Sequence, residues 1–169
     1  MRSPTVLSAP FRAEFVAALG AIFEGSPWVA DGAFEARPFA SLSELHEAMC
    51  GVVAEAGLGA QLGLIRAHPD LAGKAALAEL TAASSAEQAG AGLGALSRAE
   101  FGRFHILNDA YRARFGFPFV LAVKGHTKTS ILAAFEARLT NSPEVERETA
   151  LTEIYKIARF RLEALGETP

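Results

Sequence analysis

The tripeptide His68-Pro69-Asp70 is the feature of this sequence that most directly points to chemistry. Proline disfavours the helical conformation in the residue before it, so the pattern predicts that His68 stands where a helix ends. Imidazole titrates near neutral pH and can donate or accept a proton under cellular conditions. The structural alternative is that His68 caps that helix and Asp70 opens the next one.

A second group, Ser84-x-x-Glu87-Gln88, combines a hydroxyl, a carboxylate and an amide. The spacing of Ser84 and Glu87 is typical of a capping box, which satisfies the backbone N–H groups at a helix start. In the first turn of a helix, the same side chains would lie beside N–H groups that favour negative charge. Both interpretations remain open: a structural cap, or a cradle for an anionic, amide-rich small molecule.

Arg161 lies between Ala158 and Leu162, beside the apolar stripe of the C-terminal segment. A guanidinium group there can offer a planar fork of donors to a carboxylate, urea or imide oxygen. The alternative is that the arginine stem covers apolar surface while the charged head stays in water.

Other chemistries lack the residues that they need. No glycine-rich nucleotide-binding loop and no Gly-x-Ser-x-Gly motif occurs. The four histidines are scattered, so we expect no metal site, and we expect His105 to be structural or exposed on a helix. The single cysteine, Cys50, has no base nearby in the sequence and is expected to be a small buried apolar residue. A formal net charge of −3 gives no electrostatic footprint for nucleic acid.

The length of 169 residues fits one domain, spanning residues 1–169. The N-terminal residues do not read as a signal peptide, no stretch is long enough to cross a bilayer, and the last residues are not Ser-Lys-Leu. A single cysteine excludes an internal disulfide. We therefore expect a cytoplasmic protein without a membrane partner.

The elements that must position these residues are predicted to be helices. Half of the residues are apolar, alanine is abundant, and capping signals stand at Ser41 with Glu44, at Ser97 with Glu100 and at Ser142-Pro143. We predict an all-α fold, a compact single-domain bundle of about seven to nine helices. The first helix is expected to have Pro10 in its first turn and to end near Gly25, another to run from about Thr127 to Thr140, and the last to bury a stripe of Leu151, Ile154, Ile157, Ala158 and Leu162.

The segment from Phe115 to Gly125 breaks the helical pattern with glycines, a proline and several aromatic residues. A lone strand would leave its ladder groups unpaired, so we predict an extended segment threaded between helices. Some of its backbone groups would then be available to a small polar ligand. The alternative is a tight connection whose aromatic side chains only fill the core.

Four motifs in this order closely resemble the OHCU decarboxylases of urate breakdown, which act on 2-oxo-4-hydroxy-4-carboxy-5-ureidoimidazoline. They are His-Pro-Asp-Leu-Ala-Gly at His68–Gly73, Ser-x-x-Glu-Gln at Ser84–Gln88, Phe-x-x-Leu-Asn-x-x-Tyr at Phe104–Tyr111, and Arg-Phe-Gly-Phe-Pro-Phe-Val at Arg114–Val120. The stretch Ala158–Leu162 also resembles the closing helix of that family. The resemblance covers a core of about residues 11–165.

The resemblance implies an all-α homodimer that needs neither metal nor organic cofactor. The family's catalytic histidine and carboxylate correspond to His68 and Glu87, so the small-molecule ureidoimidazoline would meet a group suited to proton transfer. The resemblance also implies a set of substrate contacts: Pro69, Ser84, Gln88, Phe119, Val120, Leu121, Ala122, Val123 and Arg161. Because the substrate carboxylate is β to a ring C=N bond, its electrons can flow into the imine nitrogen, and the product would be (S)-allantoin.

Two other classes of protein compete with this one. A noncatalytic helical interaction module would explain the apolar stripes and the capping boxes, but not His68-Pro69 or Arg161. A metal-dependent hydrolase on a helical bundle would need clustered histidines, which the sequence does not have.

Overall fold

The computed structural model describes residue 7, residues 9–72 and residues 82–167. These residues contain eight α-helices and no β-strand, which confirms the all-α class and the expected number of helices. The helices are α1 (Arg12–Leu19), α2 (Trp28–Ala33), α3 (Leu42–Glu55), α4 (Leu58–Arg66), α5 (Ala82–Gly90), α6 (Arg98–Phe115), α7 (Lys128–Arg138) and α8 (Pro143–Glu167). A 3-10 helix at Phe34–Ala36 follows α2.

The chain divides into two compact units. The first contains the described residues up to Ala67 together with those from Tyr155 onward, and the second contains the described residues from His68 to Ile154. The long helix α8 therefore contributes to both units. The assignment of residues 1–169 to a single domain stays a prediction.

The core of the first unit follows from helical spacing. Leu45, Met49 and Val53 are four residues apart on α3, lie on one face of that helix, and are fully buried. Removing each of these side chains from water is worth about 1.5–3 kcal/mol. Fully buried residues of other helices in this unit are Phe15, Leu19, Val29, Leu64, Ile65 and Leu162.

The N-terminal helix differs from the prediction at both ends. Pro10 lies outside α1, because Phe11 takes an extended N-cap conformation, and the Phe11 side chain is 65% exposed. The helix stops before Gly20 instead of near Gly25. The chain turns in between, and Gly25 has a φ of +56°, a left-handed conformation that glycine adopts more readily than other residues.

The capping signals, by contrast, mark the helix starts correctly. At the start of α6, the Glu100 N–H donates to the Ser97 hydroxyl at 3.1 Å, and the Ser97 N–H donates to the Glu100 carboxylate at 2.9 Å. The Ser41 hydroxyl accepts the Glu44 N–H at 3.2 Å at the start of α3. The predicted cap at Ser142 precedes α8.

The apolar stripe predicted for the last helix is confirmed. Its five members, Leu151, Ile154, Ile157, Ala158 and Leu162, are all buried. Their three- and four-residue spacing places them along one side of α8, as a period of 3.6 residues requires.

An aromatic cluster forms part of the core of the second unit. The Tyr111 ring of α6 is fully buried, with its centroid 5.3 Å from that of Phe119 and 6.1 Å from that of Phe135. Phe119 and Phe135 stack with their centroids 3.7 Å apart. The segment that follows α6 is thereby packed against α6 and α7.

Within the part of the chain that the structure describes, no single helix has both the length and the apolar character needed to span a bilayer. Helices α3 and α4 would meet that test only as a pair, and the chain bends by 118° between them.

Candidate functional site

His68 lies immediately after the end of α4, as the following proline predicts. The helix ends at Arg66, Ala67 is its C-cap, and His68 stands in a bend. The imidazole is buried, with a relative exposure of 6%. Pro69 and Asp70 are partly exposed, so the tripeptide leads from the interior of the second unit towards its surface.

The structural interpretation of Asp70 as the start of the next helix is wrong. Leu71 and Ala72 form a turn, and Ala72 has a φ of +56°, which is incompatible with a right-handed helix. The Asp70 carboxylate instead accepts two hydrogen bonds from Arg112 Nε and Nη2, at 3.1 Å and 3.0 Å from Asp70 Oδ1.

The capping-box interpretation of Ser84 and Glu87 is also wrong. Helix α5 already includes Ala82, so Ser84 is inside the helix and cannot be its N-cap. Ser84 and Gln88 are one helical turn apart and buried, while Glu87 is partly exposed. All three therefore lie on one side of α5, because residues three and four apart are neighbours on a helix.

Gln88 joins α5 to the loop that follows His68. Its Oε1 accepts the Ala72 N–H at 3.1 Å, and its Nε2 donates to the Asp70 carbonyl at 3.3 Å. The structure therefore brings the helix that carries Ser84 and Glu87 into direct contact with the loop after His68-Pro69.

The extended segment predicted after α6 is present, and its residues from Phe117 to Val123 are all buried. It has no strand partner among the described residues. The Val120 carbonyl accepts Arg138 Nη1 at 2.6 Å, and the Ala122 N–H donates to Glu153 Oε1 at 3.3 Å. That other backbone groups of this segment meet a ligand stays a prediction.

Helix α6 supports both the loop and the extended segment. Asn108 Nδ2 donates to the Leu71 carbonyl at 2.9 Å, and one turn later the Tyr111 ring packs against Phe119. Residues three apart share one face of a helix, so a single face of α6 fixes these two parts of the candidate site.

A buried charge network anchors the extended segment from its other side. Glu146 is completely buried, and it accepts hydrogen bonds from the Tyr111 hydroxyl at 2.5 Å and from Arg138 Nε at 2.6 Å. Burial and the contact with Glu146 raise the pKa of Tyr111 well above its usual value, so the phenol remains a donor. The same Arg138 holds the Val120 carbonyl and lies over the Phe119 ring.

Arg161 belongs to the first unit, and its surroundings exclude the interpretation of a charge in water. The side chain is 8% exposed and its Nη1 lies 2.8 Å from Glu24 Oε2, whose own side chain is 6% exposed. Nη1 also donates to the Ala21 carbonyl at 3.3 Å. A buried guanidinium of this kind needs such partners, because the cost of removing its charge from water is several kcal/mol.

Several of these residues are not marked by any chemical motif in the sequence. In the sequence, Glu146 is one of several acidic residues after the Ser142-Pro143 cap, and Asn108 is part of the Phe104–Tyr111 motif. No sequence pattern marks Glu24, Arg112 or Arg138, because their partners are distant in the sequence. Glu24 pairs with Arg161, 137 residues later. Arg112 binds Asp70, 42 residues earlier, and Arg138 binds the Val120 carbonyl, 18 residues earlier.

The expectation that Cys50 has no base nearby is wrong. His46 is one helical turn earlier on α3, and its Nε2 lies 3.4 Å from Cys50 Sγ. Cys50 is also half-buried rather than buried. Desolvation and the nearby Glu47 charge raise the pKa of the thiol to about 11, so it stays protonated near neutral pH and is a poor nucleophile.

The remaining histidines do not form a cluster. His105 is on α6 with its side chain 65% exposed, as predicted, and His126 Nδ1 lies 2.9 Å from the Ser130 hydroxyl. Among the described residues, no group of three or more His, Cys, Asp or Glu side chains is arranged to hold a metal ion.

Within the described residues of the second unit, the buried His68, the helix that carries Glu87 and the supporting α6 form a candidate site in an all-α protein. Residues 9–163 match the family model described as OHCU decarboxylase. The chain belongs to this family.

Individual relatives agree with the family match. The chain is 50% identical over 148 residues to a 2-oxo-4-hydroxy-4-carboxy-5-ureidoimidazoline decarboxylase of Haloferax volcanii, covering 88% of this chain and 86% of that protein. It is 50% identical over 144 residues to a uric acid degradation bifunctional protein of Bacillus subtilis, covering 85% of this chain and 28% of that protein. A solved structure of (S)-allantoin synthase superposes with a TM-score of 0.77 at 35% identity, over 95% of this chain and 52% of that one.

Proposed function

We propose that this chain is a carboxy-lyase that converts 2-oxo-4-hydroxy-4-carboxy-5-ureidoimidazoline into (S)-allantoin in urate degradation. The observation that carries the proposal is the buried His68, followed by a loop bonded to the helix that carries Glu87, in a chain of the OHCU decarboxylase family. We further propose that the protein is cytoplasmic and forms a homodimer.

The chemistry of the substrate explains why a site of this kind is sufficient. When the bond between C4 and the carboxylate breaks, its electrons form a C4=C5 double bond and the C=N electrons move to the ring nitrogen. Carbon dioxide leaves, and the 4-hydroxyl becomes part of an enol. The ring nitrogen takes up one proton, and removing the hydroxyl proton and adding a proton to one face of C5 then gives one enantiomer of allantoin. The ring itself serves as the electron sink that other decarboxylases obtain from a cofactor.

The candidate residues divide into two groups. His68 would transfer the proton of the 4-hydroxyl group, and Glu87 would orient His68 or share that transfer. Ser84, Gln88, Pro69 and Arg161, with the backbone of residues 119–123, would bind the ureido and ring amide groups. The burial of His68, Ser84, Gln88, Arg161 and residues 119–123 supports these roles, because hydrogen bonds to a bound ligand are stronger where water is excluded.

The function is tested in an assay that generates the substrate enzymatically just before use. Urate is treated with urate oxidase and the following hydrolase, with and without this protein, and allantoin formation is followed by circular dichroism. We expect a faster rise of the (S)-allantoin signal, unchanged by a metal chelator. An unchanged rate with racemic product would contradict the proposal, and loss of activity with chelator would return the metal-dependent hydrolase to consideration.

Replacing Glu87 with glutamine tests the role of its carboxylate. The amide keeps the shape of the side chain and the helix propensity is nearly equal, so stability should change by less than about 0.5 kcal/mol. Turnover should fall at least about tenfold because the charge that supports proton transfer is lost. Initial rates and a urea unfolding curve on the same preparation measure both effects. Near-normal turnover would mean that Glu87 is only a surface residue of α5.

Replacing Arg161 with lysine tests the guanidinium fork. A lysine retains a positive charge for Glu24 but cannot donate to a planar acceptor through two parallel bonds. We expect the Michaelis constant to rise at least about tenfold, equivalent to more than 1.4 kcal/mol, with the helix still folded. The matched control is Arg159→Lys, since Arg159 on the same helix binds Glu163 and the Ser43 hydroxyl. Equal and small effects of both variants on titration with allantoin would remove Arg161 from the site.

A further inference from the structure

The short loop Asp70–Ala72 is held by side chains from two helices. Gln88 of α5 binds the Asp70 carbonyl and the Ala72 N–H, as described above. Asn108 of α6 donates to the Leu71 carbonyl at 2.9 Å, and Arg112, one turn further along α6, binds the Asp70 carboxylate. Each of the three residues that follow His68-Pro69 therefore forms at least one hydrogen bond with a side chain of α5 or α6.

The conformation of the loop requires such support. Ala72 has a φ of +56° and is buried, and alanine rarely adopts this left-handed conformation. Residues held in sparsely populated conformations persist only where surrounding contacts fix them. The bond from the Ala72 N–H to Gln88 and the bond from Asn108 to the preceding carbonyl are contacts of this kind.

Asn108 contributes one specific hydrogen bond to this loop. It is 4% exposed, and its Oδ1 is buried without a hydrogen-bond partner in the part of the chain that the structure describes. A leucine at this position would keep the number and branching of the heavy atoms but could not donate to the Leu71 carbonyl. The Nδ2 bond to the Leu71 carbonyl is therefore the specific contribution of the amide at this position.

We propose that Asn108 and Arg112 are positioning residues, which together with Gln88 lock the Asp70–Ala72 loop and so fix the backbone that presents His68. They act on the reaction through His68 rather than by touching substrate. This inference rests on the proposed function of His68, and it assigns to Gln88 a positioning role in addition to its proposed contact with substrate.

The main test is the variant Asn108→Leu, which removes the donor to the Leu71 carbonyl and keeps the number and branching of the side-chain heavy atoms. We expect kcat to fall at least about thirtyfold while KM changes less than about threefold, because substrate contacts remain. The apparent pKa in the pH profile of kcat should also shift, since the imidazole environment is no longer fixed. The control is Ser97→Ala, which weakens the same helix at its N-cap without contacting the loop.

A second variant, at Arg112, tests the same role without changing a buried residue. Arg112 is half-exposed, so Arg112→Gln should fold normally and still release the Asp70 carboxylate. We expect about a threefold to tenfold loss of kcat, partly restored in Arg112→Lys, which returns the charge without the fork. If Asn108→Leu and Arg112→Gln both keep kcat within threefold of the Ser97→Ala control, the positioning role is wrong.

Amide hydrogen exchange separates this inference from the proposed function. In Asn108→Leu, the Ala72 amide, whose N–H donates to Gln88, should exchange at least about tenfold faster than in the original chain, whereas Ser97→Ala should leave it unchanged. Unchanged exchange in Asn108→Leu would overturn the loop clamp. An original chain that is inactive on the ureidoimidazoline but shows the expected exchange difference would instead contradict the proposed function.

Discussion

Replacing His68 with asparagine should lower turnover by about 10²- to 10⁴-fold, the usual contribution of a positioned general acid or base. The imidazole is buried at the end of α4, and the loop after it is bonded to α5 and α6. Asparagine is similar in size and polar, but it does not titrate near neutral pH. The folded protein should therefore persist while the proton transfer is lost.

The measurement is kcat together with the melting temperature of the same preparation. His105→Asn is the matched control, because the His105 side chain is exposed on α6 and its Nε2 lies 3.4 Å from Asp109 Oδ2. We expect the control to retain both activity and stability. A lower melting temperature with normal turnover in the folded fraction would mean that His68 is a structural residue at the helix end.

Replacing Glu146 with leucine should destabilise the protein by about 3–5 kcal/mol, because it leaves the Arg138 guanidinium buried without its carboxylate. The Tyr111 hydroxyl and Asn141 Nδ2, which donate to Glu146 at 2.5 Å and 3.0 Å, also lose their acceptor. For a chain of this length, the melting temperature should fall by roughly 6–20 °C. Urea unfolding and a thermal melt measure the two quantities.

The control for this variant is Glu144→Gln in the same first turn of α8. Glu144 is exposed, so only its interaction with the helix dipole is lost, worth less than about 1 kcal/mol. Similar small effects of both variants would show that the buried network does not stabilise the fold. We also expect Glu146→Leu to raise KM in the folded fraction, because Arg138 holds the Val120 carbonyl of the extended segment.

The sequence by itself determined the features that depend on neighbouring residues. The capping pairs Ser97 with Glu100 and Ser41 with Glu44 are three residues apart, so their hydrogen bonds form wherever the helix forms. The proline after His68 ends α4 through a local steric clash. The apolar stripe of α8 follows from helical periodicity alone.

Local patterns failed where burial decides the outcome. Phe11 fits the spacing of an apolar helix face, yet its side chain is exposed. Ser84 and Glu87 have the spacing of a capping box, yet both are inside α5. Such patterns predict the role that a residue can have in an isolated helix. Whether the residue has that role in the folded protein depends on how the other helices pack around it.

Only the tertiary structure decided which polar groups meet. Arg161 pairs with Glu24, Asn108 binds the Leu71 carbonyl 37 residues earlier, and Glu146 is the buried acceptor for groups on α6 and α7. The physical reason is that a buried charge or amide is stable only with a partner. That partner is supplied by the folded chain rather than by the adjacent sequence.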